Sequence, residues 1–244
     1  MEISPNSIGI FYPRFENELL KLFKRFSRKK INYNSRLVVV PHAGYEFSGR
    51  VAFNTYQYLD KTVKNVIVIA PALYKNIFGT VSCDAKSFKT PLGSIDILPF
   101  DTQVNNNIFA TEPSFSVQLP FIKYLLPEAK VIPILYGCED YNNIMSIIEN
   151  CIHNSAVVIV SNLSRFVPEK ESIKLDSETL RKIERLDVED LDVELADGAI
   201  GICAAIKYAK INGFKFIMTA HSNSSKVNDD TSNVVGYGGW YLTR

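Results

Sequence analysis

Five short apolar runs constrain the fold of this 244-residue chain more than any other feature. They are Arg36–Pro41 (RLVVVP), Asn65–Ala70 (NVIVIA), Lys130–Leu135 (KVIPIL), Ala156–Ser161 (AVVIVS) and Phe214–Thr219 (FKFIMT). Each is rich in β-branched residues and lacks polar alternation, so each predicts a strand covered on both faces. Helical patterns lie between them, at Glu16–Phe26, Ser48–Leu59, Pro120–Leu126, Tyr141–Asn150, Ser177–Leu186 and Ala199–Asn212. Strand and helix alternate, which predicts an α/β fold: a single-domain layered sheet flanked by helices. No repeat, low-complexity tract or Gly/Pro/Ser linker divides residues 1–244.

The segment Val81–Pro99 breaks this rhythm. Val81–Cys83, Ser87–Lys89 and Ile95–Leu98 flank the turn sequence Thr90-Pro91-Leu92-Gly93, which predicts an antiparallel excursion of the sheet. Gly213 stands where a helix C′ glycine belongs, directly before the strand Phe214–Thr219. A last strand, Val234–Leu242, is rich in aromatic and β-branched residues. Its Trp240 and Tyr241, with Tyr56 and Tyr58, suit either the core or an interface.

Composition narrows the function classes. With 27 Lys+Arg against 26 Asp+Glu and 46% hydrophobic residues, the chain is neither disordered nor an electrostatic match for nucleic acid. The basic run Lys21–Lys30 alternates with Leu22, Phe23 and Phe26 and reads as the solvated face of an amphipathic helix. Met1–Pro13 has no signal-peptide pattern, and no stretch reaches the roughly 20 apolar residues that span a bilayer, so a cytoplasmic protein without a membrane partner is expected. The four cysteines, Cys83, Cys138, Cys151 and Cys203, lie far apart and read as reduced thiols. Nine carboxylates between Asp176 and Asp197 lack the alternating spacing of a calcium loop and read as a solvated face.

Directly after the first apolar run stands Pro41-His42-Ala43-Gly44-Tyr45-Glu46-Phe47-Ser48-Gly49. It resembles the PHAGY-x-[YF]-S-G motif of the Memo family. Gly9-Ile10-Phe11-Tyr12-Pro13 resembles the family's G-x-F-Y-P start, and Thr90-Pro91-Leu92-Gly93 its T-P-L-G turn. Ser114–Phe121 (SFSVQLPF) resembles its E-H-S-[IL]-E-x-Q-L-P-F segment, and Val234-Val235-Gly236-Tyr237 its V-V-G-Y end. The resemblance covers essentially the whole chain. It implies a fold similar to the class III extradiol (LigB-type) dioxygenases, with a cleft at the carboxyl ends of the strands, where ligands of open α/β sheets bind.

The same resemblance implies a metal cluster built from the PHAGY histidine, a histidine in a G-P-S-H segment and a late cysteine before a helix. Only the first, His42, is present: Leu73 stands at the second position, and the cysteine position falls near Leu195 or Ala196. Cys203 lies inside the following helical pattern and reads as a core residue. The family's S-S-D-[LF]-S-H segment is Ser161-Asn162-Leu163-Ser164-Arg165 here, with amide for acid and guanidinium for imidazole. Pro113 and Ser116 replace the histidine and glutamate of the E-H-S-x-E segment, while Glu112 and Gln118 remain.

The candidate binding residues are therefore His42, Tyr45, Glu112, Gln118, Asn162, Arg165 and His221, with His42 the only candidate for catalysis and no metal ligand set. His221 follows the strand Phe214–Thr219 and reads as a hydrogen-bonding residue; His153 lies in a loop. The expected function is a binding or scaffold protein, a pseudoenzyme of bacterial or archaeal type without cofactor. The alternative is a residual dioxygenase-like oxidoreductase using iron or copper in a rearranged site of His42, His221 and a carboxylate such as Asp197. A small anionic ligand held by Arg165, His42 and Asn162 fits the first expectation. The resemblance also implies an unidentified protein partner, with a radical-SAM system component as one candidate.

Overall fold

A computed structural model describes residues 1–27 and 33–244. In chain order the strands are β1 (Glu2–Ile3), β2 (Leu37–Val40), β3 (Asn65–Pro71), β4 (Thr80–Ser82), β5 (Ser87–Thr90), β6 (Gly93–Asp96), β7 (Gln103–Val104), β8 (Lys130–Tyr136), β9 (Ala156–Val160), β10 (Arg165–Val167), β11 (Lys215–Asn223) and β12 (Val234–Thr243). The helices are α1 (Glu16–Phe26), α2 (Gly49–Tyr56), α3 (Asn106–Thr111), α4 (Pro113–Ser116), α5 (Leu119–Leu125), α6 (Tyr141–Cys151), α7 (Glu169–Arg185), α8 (Ala199–Asn212) and α9 (Ser225–Asn228).

Four parallel strands form the centre of the main sheet in the order β2-β9-β3-β8. Their side chains divide between two cores because neighbours along a strand point to opposite faces. Val38, Val40, Val66, Val68, Val158 and Val160 meet α1, α2 and α5 on one face. Leu37, Val39, Ile67, Ile69, Val157 and Ile159 meet α6 and α8 on the other. Burial on both faces explains why these runs carry no polar alternation. The α/β sheet expected from the sequence is observed, but the fifth run, in β11, is not covered on both faces: Ile217 and Met218 are exposed.

Antiparallel strands extend the sheet on both sides. β12 pairs with β2 through Trp240 and Tyr241, with β11 along its other side and with β10 through its first residues. β4 runs antiparallel to β8 and carries β7. The excursion expected at Val81–Pro99 is split: β4 joins the main sheet, whereas the β5–β6 hairpin pairs with β1 in a separate three-stranded sheet. Phe88 of that hairpin packs into a buried cluster with Phe109 and Phe115, at ring-centroid distances of 6.1 and 5.0 Å.

Two boundaries differ from the sequence expectation by four residues or more. Helix α7 begins at Glu169 rather than Ser177, because its buried stripe is Ser172, Asp176, Thr179 and Ile183 and contains one apolar residue. Strand β11 continues through His221 to Asn223, paired residue by residue with β12 after an irregularity at Met218/Ala220. Trp240 and Tyr56 are core residues, and Tyr58 stacks on Tyr241 at 4.3 Å. In the basic run, Lys21, Lys24 and Arg25 are exposed on α1, and residues 28–30 lie outside the described residues. Among the described residues no helix is long and apolar enough to cross a membrane.

The loop after β2 rests on an aromatic cluster. Phe121 stacks on Tyr45 at 4.3 Å, on Tyr56 at 5.3 Å and on Phe23 at 5.4 Å. Truncation of Phe121 to alanine is expected to cost about 3–5 kcal/mol of stability by loss of buried area and cavity formation, read by urea denaturation.

Candidate functional site

The carboxyl ends of β2 and β9 lie side by side, so Pro41-His42 and Ser161-Asn162 leave the sheet together. The N–H of His42 donates to Asn162 Oδ1 at 3.0 Å, which ties the two loops. Asp197 approaches from the start of α8. Its Oδ1 accepts the Asn162 N–H at 2.8 Å, and its Oδ2 lies 2.9 Å from His42 Nε2. A carboxylate accepts, so the imidazole donates from Nε2. The Asp197 side chain is fully buried and that of His42 nearly so.

Gly198 makes this approach possible. A Cβ there would stand 2.3 Å from the Val160 carbonyl oxygen, so only glycine lets α8 begin against the end of β9. Its N–H donates to Ser161 Oγ at 2.9 Å, and the Ser161 hydroxyl donates to the Asn162 carbonyl at 2.6 Å. Arg165, on β10, reaches towards the same carboxylate: Nη1 is 3.8 Å from Asp197 Oδ2, and the side chain is 34% exposed.

A second histidine–aspartate pair is anchored two residues beyond Asn162 in the same segment, on Ser164. Asp176 Oδ1 accepts from the Ser164 N–H at 3.1 Å and from its hydroxyl at 2.7 Å. Asp176 Oδ2 lies 3.0 Å from His221 Nε2. The carboxylate is buried, whereas His221 is about one-third exposed. Asp176 packs against the backbone of Gly236, where a Cβ would fall 2.1 Å from Oδ2. The glycine of the V-V-G-Y end thus leaves room for this carboxylate.

The other candidate residues are buried, with their polar atoms engaged. Tyr45 donates its hydroxyl to the Val117 carbonyl at 2.7 Å. Glu112 accepts the N–H groups of Leu73, Tyr74 and Ser114 at 2.8, 3.0 and 3.2 Å and so fixes the loop after β3. Gln118 accepts from the Tyr56 hydroxyl at 3.0 Å and donates to the Pro41 carbonyl at 3.2 Å, next to His42. His153 is exposed in a turn after α6. Cys203 is buried in α8, where desolvation pushes its thiol up to about 11, away from the thiolate a metal requires.

The residues present do not fit a metal. Among the described residues no group of three or more His, Cys, Asp or Glu side chains is placed to hold one. His42 and Asp197 supply one nitrogen and one carboxylate already hydrogen-bonded to each other, and a guanidinium stands beside them. The carboxylate comes from Asp197, just past Leu195 and Ala196, which are core residues.

The expectation that all the carboxylates from Asp176 to Asp197 form a solvated face is corrected at its two ends. Asp176 and Asp197 are both buried, each facing a histidine. The sequence carries only a faint signal for either. Asp176 stands four residues after Ser172 and seven before Ile183, on the buried stripe of α7, and Asp197 stands between Ala196 and Gly198.

Replacing Asp197 with alanine leaves the Asn162 N–H and the His42 ring N–H without partners in a buried place. Chemical denaturation is expected to show a loss of about 3 kcal/mol. Arg165→Gln, at a partly exposed position, is expected to cost less than about 1 kcal/mol.

Comparison with known proteins places the chain in a family. The profile of the family described as Memo-like protein matches residues 4–241. A MEMO1 family protein of Methanococcus vannielii is 26% identical, covering 94% of this chain and 95% of its own length. Another, from Archaeoglobus fulgidus, is 27% identical over 96% of this chain and 97% of its own. A third, from the bacterium Aquifex aeolicus, is 30% identical over 96% of each. The chain belongs to the Memo family.

Proposed function

We propose that this Memo-family chain works without a metal, as a protein that binds a small anionic ligand where β2 and β9 end. Arg165 carries the reading. Among the described residues its guanidinium donates no hydrogen bond, and its one polar contact is the ion pair with Asp197. Asp197 does not need those donors, since the Asn162 N–H and the His42 ring N–H already serve one oxygen each. The guanidinium is therefore held by charge while its planar fork stays open to a carboxylate or phosphate. His42 and Asn162 set the position of Asp197 and, through it, that of Arg165.

A dioxygenase-like reaction with iron or copper would call for a facial set of two histidines and one carboxylate. His221 is bound to Asp176 rather than to the His42 pair, which leaves that set without its second histidine. This supports the binding role over the oxidoreductase.

The test has two arms. Inorganic phosphate and acetate, titrated calorimetrically at low salt, are expected to bind the wild type with an affinity that falls as salt rises, and to lose about tenfold or more in Arg165→Gln. Elemental analysis after incubation with ferrous iron, cuprous copper or zinc is expected to find no stoichiometric metal. Near-equimolar metal that disappears in His42→Ala would overturn the proposal.

A further inference from the structure

Phe166, the neighbour of Arg165, is held in a conformation that its side chain does not favour. Its φ is 57°, in the left-handed region, which a bulky L residue rarely occupies. Three other non-glycine residues share a positive φ among those described, and each has a local reason. Leu186 and Asp229 end helices α7 and α9, and Asp190, like Asp229, is of a type that tolerates this conformation. Phe166 ends no helix. It is also 70% exposed, so no burial of its ring offsets the strain.

The strain belongs to a bulge. Arg165 stands opposite Val235 and Val167 opposite Val234, so Phe166 is an extra residue in β10 with no partner in β12. Bulges of this kind re-aim side chains beside functional sites. Here the bulge leaves a guanidinium that is ion-paired with a buried carboxylate but donates no hydrogen bond among the described residues and, one residue on, an aromatic ring in solvent.

We propose that Arg165 and Phe166 form a two-part binding surface for an anion that carries a planar ring: the guanidinium takes the charged group and the Phe166 ring stacks on the planar body. This rests on the anion-binding role of Arg165 and adds the class of ligand. Stacking against a planar ring covers the exposed phenyl face in the bound state, a gain that the free protein lacks. Aromatic carboxylates and nucleoside monophosphates share this chemistry.

The experiment measures the affinity of the intact protein for benzoate and AMP, each beside its ring-free counterpart, acetate and inorganic phosphate. The wild type is expected to bind at least one ring-bearing probe about tenfold more tightly than its counterpart. Preference for benzoate identifies the carboxylate class, and preference for AMP the nucleotide class. Phe166→Gly is expected to erase the preference, to leave acetate and phosphate binding unchanged and to melt no lower than the wild type, because glycine accepts a positive φ. Phe166→Asn, which also tolerates this backbone, is expected to behave in the same way. Arg165→Gln is expected to weaken all four probes.

A wild type that binds ring-bearing and ring-free probes equally, or variants that keep the preference, would overturn the inference while leaving the anion site intact. Melting well below the wild type in both Phe166 variants would assign the ring a structural role and overturn it too. Failure of all four probes to bind the wild type would remove the anion site and the inference together.

Discussion

The segment Ser161–Arg165 is suspended between two buried carboxylates, and the candidate site follows from that suspension. Asp197 accepts the N–H of Asn162, and Asp176 accepts the N–H of Ser164. Each aspartate gives its second oxygen to a histidine, His42 in one case and His221 in the other. A buried carboxylate is tolerated only with its oxygens satisfied, so loop, histidines and aspartates hold one another in place. The glycines at 198 and 236 are part of the same constraint, because each leaves the space that brings a helix and its aspartate against the backbone.

Around this segment, other buried side chains hold the loops at the strand ends. Glu112 and Gln118 fix the loops after β3 and β2 by hydrogen bonds to backbone, which any occupant of the site requires. The position facing His42 holds a carboxylate, and a guanidinium stands 3.8 Å from it. The guanidinium lies beside the buried Asp197 charge while its side chain stays one-third exposed.

Much of the fold was legible because four strands are buried on both faces and their sequences show it as unbroken β-branched runs. What escaped was polar structure. The end of β11, Ala220-His221-Ser222-Asn223, has no apolar period because it is partly exposed beside β12. The first turns of α7 are dense in charge, and its thin buried stripe hides Asp176 among solvated carboxylates. The bulge at Phe166 left no trace, since Arg-Phe-Val reads as ordinary strand. Of the site, His42, Asn162 and Arg165 were visible through the family motifs. Their dependence on Asp197 was visible only as one alternative, and the pairing of His221 with Asp176 arises from a contact between α7 and β11 far apart in sequence.

Nitrogen-15 NMR of the histidine side chains tests the central claim most directly, because it reads which ring nitrogen carries the proton. The account predicts that the Nε2 atoms of His42 and His221 carry protons donated to Asp197 and Asp176, and that added zinc leaves the His42 signals in place. Loss of the His42 Nε2 proton with a metal-induced shift on adding zinc would contradict it, since the imidazole would then be a ligand and not a hydrogen-bond donor to Asp197.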